Sequence, residues 1–246
     1  MPPHFVYAPP DFETDFYAYR SPVPPYPDAP RWQQSVYYYW WLYLRRNADY
    51  RETCLSDGKG PCADLYRDFG NIYEVEFSSW WENHWHLFAE RDAIVDATVS
   101  DLQFDRSLTL RLDLTAKRSR LLEELRHLIT NVQSETDQAR VASTAKYPVA
   151  TNPILSSMHQ HLVVWDMKQM NPSVADPVLA DISDIRVNHV VDGLTAEQAR
   201  LTGRDATYII SEVKRRKTQA AQRHIRIADQ YIENAGKGIF PQRIGR

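Results

Sequence analysis

The sequence predicts a mainly α fold with a small α+β element, either a two-stranded hairpin or a small sheet packed on a helix, arranged around an aromatic-rich helical core. Three observations carry that expectation. Two blocks dense in tryptophan and tyrosine, VYYYWWLYL and FSSWWENHWHLFAE, run without a helix breaker. Between residues 107 and 133 the apolar period changes from two to that of a helix. The chain then closes on a long amphipathic run over residues 205–234.

The 246 residues are 43% hydrophobic and 25% charged, enough to bury a real core. Two cysteines, Cys54 and Cys62, are too few for a disulfide framework, and the first residues show no basic stretch leading into an apolar one, so a cytoplasmic protein is expected. The longest apolar run, nine residues over 36–44, falls short of the roughly 20 that a membrane span requires. No membrane partner is expected. The net charge of −3 is unevenly spread, because residues 204–246 hold ten Lys/Arg against four Asp/Glu. A basic end of this kind points towards a polyanionic partner.

Residues 1–30 hold nine of the fifteen prolines and read as an extended, tyrosine-studded arm, APPDFETDFYAYRSPVPPYPDAP. Such an arm either drapes over its own domain or docks on a protein partner through its tyrosines. Asp28 is the expected cap of a helix over residues 31–47 with Pro30 in its first turn. Its apolar arc is so wide that it must be covered on most sides, as a central core helix. Base stacking on its rings is the competing reading, but stacking needs exposed aromatics. A short helix, CADLYRDF, stops at Gly70, and Ser79 with Glu82 has capping-box spacing for a second aromatic helix lined by Phe77, Trp81, Trp85 and Phe88.

AIVDATVS and SLTLRLDLT are strand-like, the second alternating Leu108, Leu110, Leu112 and Leu114 against polar residues. Thr115 is the expected cap of a helix over 116–133, with Leu121, Leu125, Leu128 and Val132 on one face. A helix over 154–170 turns Leu155, Met158, Leu162 and Trp165 inward; a proline-punctuated connection, a short helix over 195–202, a stop at Gly203 and the final helix follow. The chain thus divides into an arm (1–30), an aromatic helical core with the strand–helix element (31–147), a linker and helix (148–192) and a basic helical region (193–246).

No catalytic set, metal or cofactor is legible, which leans against an enzyme. Cys54, Cys62, His84 and His86 are the residue types of a zinc site, but seven residues separate the cysteines, and histidines at i and i+2 of a helix point about 200° apart. The same geometry separates His159 from His161. DFG at 68–70 copies a kinase magnesium motif without the glycine-rich loop or catalytic loop that would accompany it. Eight glycines supply no phosphate-cradling loop, no GxSxG elbow is present, and Glu123 and Glu124 read as solvated charges.

The final helix carries the functional expectation. Ile210, Val213, Ala220 or Ala221, Ile225, Ala228 and Ile232 form its apolar stripe, while Arg215, Gln219, Gln222 and Arg226 follow one another on another face. Lys214, Arg215, Arg216, Lys217, Arg223 and Arg226 are the expected phosphate contacts, with residues near Thr207 supplying any specificity. Counted from Thr195, Ala199, Gly203 and Ile209 fall where a helix-turn-helix needs a small residue, a turn glycine and an apolar residue. Arg204 and Glu212 break the pattern, and Asp205 puts an acid at the start of the recognition helix.

Three segments, YYYWWLYLRRNADYRETC, LYRDFGNIYEVEFSSWWENHWHLFAE and ADQYIENAGKGIFP, taken in that order, resemble a pattern found in uncharacterised proteins carried by proteobacterial plasmids, integrative conjugative elements and phages. The resemblance implies no activity. It implies a strand–helix element between the second and third segments, where LTLRLDLTAKRSRLLEELRHLI stands here, and a mobile-element setting in DNA transactions, defence, counter-defence or particle assembly. The expected function is therefore a non-enzymatic nucleic-acid-binding accessory or regulatory protein. The alternative is a protein-interaction or assembly module docking through the Tyr/Pro arm.

Overall fold

The computed structural model describes residues 2–11, 16–91, 110–134 and 143–242. Its centre is α1, Val36–Leu44, of whose nine residues only Tyr38 and Leu42 are not buried. The Ser35 side chain, itself buried, accepts from the Tyr37 amide and starts the helix. The expected helix over 31–47 is thus broken into pieces. Arg31–Gln33 is a 3₁₀ turn, Asp28 has a positive φ of 59° and caps nothing, and α1 ends before Asn47, whose side chain starts α2, Ala48–Leu55, by accepting from Tyr50. Polar side chains that bond the backbone locally end one helix and begin the next.

After α3, Ala63–Phe69, Gly70 turns the chain with a φ of 66°, a conformation open to glycine at little cost. The second aromatic block forms α4, Phe77–His84, and a 3₁₀ turn, Trp85–Leu87. Ser79 lies inside α4, which begins after Glu76, so the expected capping box does not form. Phe77, Trp80, Trp81 and Phe88 are buried, while Trp85 is 37% exposed because the tighter turn rotates it outward. Trp81 stacks on Tyr37 at 5.1 Å between centroids, and Phe69, Trp40, Tyr147 and Phe240 extend the same aromatic cluster. The aromatic core is present, and its rings are buried within the fold.

Among the described residues a small sheet lies in the amino-terminal arm. Two strands of the amino-terminal arm, β1 (His4–Tyr7) and β2 (Tyr17–Arg20), pair in parallel, with His4 opposite Tyr17 and Tyr7 opposite Arg20. β1 alternates inward and outward, sending Phe5 and Tyr7 into the aromatic core, so the first part of the arm belongs to its own domain. β2 is exposed throughout. In the middle of the chain, Leu110 to Asp113 form no strand, and all of AIVDATVS and the residues of the second segment before Leu110 lie outside the described residues. The helix there, α5, is Arg118–Ser134; the Thr115 hydroxyl bonds the Asp113 carboxylate.

In the carboxyl-terminal half, α6 is Leu155–Met170, α7 Asp176–Ile182, α8 Ala196–Leu201 and α9 Thr207–Gly236. α7 replaces part of the expected connection: Pro177 sits in its first turn, where a proline suits a helix. α9 runs about 45 Å and packs on α7, α6 and α1. Contacts therefore divide the chain into one unit of Met1–Glu90 with Ala145–Arg246 and a second of Arg91–Thr144. This division differs from the segmentation read from sequence, because the lower half of α9 completes the aromatic core through Ile227, Ala228, Tyr231 and Ile232. No helix among the described residues is long and apolar enough to cross a membrane.

Candidate nucleic-acid interface

The upper part of α9 meets α8 across a short turn. Thr195 and Gln198 form a complete capping box at the start of α8, Gly203 turns the chain with a φ of 72°, and Asp205 accepts from the Thr207 amide at the start of α9. Ala199 is 1% exposed and Ile209 6% exposed, packed with Val191 and Ala206 in a small cluster of their own. The small residue and the apolar residue counted from Thr195 are thus buried in one cluster, with Gly203 turning the chain between them. The Asp205 carboxyl is held below its usual range by the hydrogen bonds of Thr207.

The sequence-nominated cations separate into two groups. Arg216 is turned against its own chain: it bonds Glu212 and donates to the carbonyls of Asn188 and Val190, both at 2.9 Å. Lys217 pairs with Asp181 of α7 at 2.5 Å. Both therefore fasten α9 to neighbouring segments. Arg215 grips Glu212 with two nitrogens, at 2.8 and 2.6 Å, while its side chain stays 57% exposed. The Glu212 carboxyl is held low, first by the hydrogen bonds of Arg215. Lys214, Arg223, Arg226 and Thr207 are exposed.

What remains is a polar strip, in solvent except for half-buried Thr218. Thr207, Ser211, Lys214, Arg215 and Thr218 recur at i, i+4, i+7, i+8 and i+11, one side of a helix over about 16 Å. No acid stands among these five. Gln219 and Arg226 continue it, whereas Gln222 donates to Asp176 and is partly committed to α7. Ser211 and Thr218 were not singled out in the sequence, although their helical spacing from Thr207 was a readable signal. The Asp181 and Asp176 partners were not readable, since they lie on a helix the sequence did not announce.

The other chemical candidates have structural roles. Asp68 of the DFG letters accepts from Lys146 at 2.6 Å and from the Tyr147 hydroxyl at 2.5 Å, so it secures the chain where it re-enters the main unit. Burial alone would raise that carboxyl; the bonds from Lys146 and Tyr147 outweigh it and hold it low. Cys54 and Cys62 are buried free thiols, pushed above their usual range by that burial. His84 stacks on Trp80 and bonds its carbonyl, while His86 is exposed. Among the described residues no three His, Cys, Asp or Glu side chains cluster as metal ligands. His161 of α6 and His224 of α9 meet Nδ1 to Nδ1 at 2.8 Å, one ring donating and the other accepting.

No protein-family model, curated protein or solved structure matches the chain.

Proposed function

We propose that the protein is a non-enzymatic nucleic-acid-binding protein in which α8, the Gly203 turn and α9 form the binding unit. One observation carries the reading. Ala199 and Ile209 pack in one cluster and leave a polar strip of Thr207, Ser211, Lys214, Arg215 and Thr218 on the outer side of α9, with Glu212 beside it bonded to Arg215. Lys214 and Arg215 would contact phosphates, with Arg223 and Arg226 extending the contact along α9, while Thr207 and Ser211 would face base edges. Arg216 and Lys217 drop out of the contact set because they tie α9 to Asn188, Val190 and Asp181 and are less exposed, whereas Arg215, although paired with Glu212, keeps 57% of its side chain in solvent. A duplex is the favoured form, because Trp40, Trp41, Trp80 and Trp81 are buried and cannot act as stacking platforms. The resemblance to mobile-element proteins adds the role of an accessory or regulatory factor.

Fluorescence anisotropy with short duplex and single-stranded DNA and RNA over a salt series tests this. Wild type should bind duplex with a steep salt slope, and Lys214→Ala with Arg215→Ala should flatten it by about 2 units, near one per lost phosphate contact. Arg216→Ala should leave the slope unchanged. Absence of binding by wild type near physiological salt would overturn the proposal.

A second reading, a protein-interaction or assembly module, rests on β2, where Tyr17 is 57% and Tyr19 74% exposed on a strand whose partner β1 is fixed in the core. Protection of this strand from proteolysis only in a complex is the result that favours it.

A further inference from the structure

Beside the polar strip, α9 forms one wall of an open groove of about 460 Å³ with α7 and the start of α8. That volume is in the range of small-molecule sites. Its apolar lining comes from Pro177, Ala196, Ile210 and Val213, and Ile210 is 44% exposed there. Four charged side chains also line it: Asp181, Glu197, Lys214 and Lys217. Asp181 and Lys217 neutralise each other at 2.5 Å. Lys214 and Glu197 are both exposed and make no ion pair among the described residues.

The unspent charges are thus one cation on α9 and one anion on α8, with apolar surface in the same groove. We propose that this groove holds a short zwitterionic peptide with apolar side chains, its carboxylate on Lys214 and its ammonium on Glu197. A single amino acid carries both charges on one carbon. Packed helix axes lie about 8–10 Å apart, and two extended residues span roughly 7 Å, so a dipeptide separates its charges far enough to meet two helices. Ile210 and Val213 would cover its side chains. The groove shares Lys214 with the polar strip but takes its apolar wall and Glu197 from outside it, so the peptide is titrated in the absence of nucleic acid and the two readings fail separately.

The test is a titration of the methyl-labelled full chain with Leu-Leu dipeptide up to about 10 mM, following the Ile210 and Val213 methyl resonances. Saturable shifts are expected, weakened about fivefold by Lys214→Met and by Glu197→Gln, with the signals of the aromatic core unmoved to show that each variant is folded. N-acetyl-Leu-Leu-amide, which lacks both charges, should not saturate. No saturable shift in wild type, or equal binding of the capped peptide, would overturn the proposal.

Discussion

Asn47 and Gly236 should be energetically coupled, and the structure gives the size of the effect. Asn47 is 7% exposed; its Oδ1 accepts from the Tyr50 amide at 2.8 Å, and its Nδ2 donates to the Ile232 carbonyl at 2.9 Å. Asn47→Ala removes a helix cap worth about 1 kcal/mol and a buried hydrogen bond worth about the same, so it should cost about 2 kcal/mol in all. A Cβ added at Gly236 would stand 2.8 Å from Asn47 Cγ, closer than real Cβ atoms approach. Gly236→Ala therefore displaces the Asn47 side chain and forfeits much of the same pair of bonds; set against a gain of up to about 1 kcal/mol in helix propensity, the net loss should be about 1 kcal/mol. With Asn47 already truncated the obstruction is gone, so the alanine helps. The double variant should be only about 1 kcal/mol less stable than wild type, a coupling of about 2 kcal/mol. Urea unfolding of the four proteins measures it. A double variant equal to the sum of the singles within about 0.5 kcal/mol would refute the claim that this side chain and this glycine share one space.

The acid sensitivity of the Asp68 latch follows from its lowered carboxyl. A depressed carboxylate stabilises the fold above its unfolded value of about 4, and that contribution disappears as pH falls through the lower folded value. Tyr147→Phe should therefore reduce stability at pH 7 and flatten the loss below about pH 4, read as urea midpoints against pH. Ser35→Ala removes both the α1 cap and the bond to the Ala8 carbonyl. It should cost about 1–2 kcal/mol and speed proteolysis of the amino-terminal arm.

The burial of α1 was readable because nine successive apolar residues leave no polar face. Its boundaries were not: Ser35 and Asn47 end and begin helices through bonds to the backbone, which letters with ordinary loop preferences do not announce. The strand β1 was obscured by prolines on both sides of HFVY, although Phe5 and Tyr7 alternate inward as a strand requires. At the candidate site, the helix–turn–helix spacing of Ala199, Gly203 and Ile209 was legible and the positive charge of KRRK was plain. Which of those charges remain available was not, because Asp181 and the carbonyls of residues 188 and 190 reach α9 only through the tertiary fold.

The main unit is interrupted between Glu90 and Ala145, yet the Tyr147 amide donates to the Leu87 carbonyl at 3.0 Å. Exit and return are thus stitched together by a backbone bond, beside the bond from the Arg91 amide to the Thr144 hydroxyl at 2.8 Å. Since each doubling of a loop costs only about 0.6 kcal/mol, this stem is a slot into which chain of very different length could be spliced without disturbing the aromatic neighbours around it. For protein engineering, it is the natural point to graft a reporter. Over evolutionary time, it is where kindred chains would be free to exchange whole cassettes while keeping the same frame.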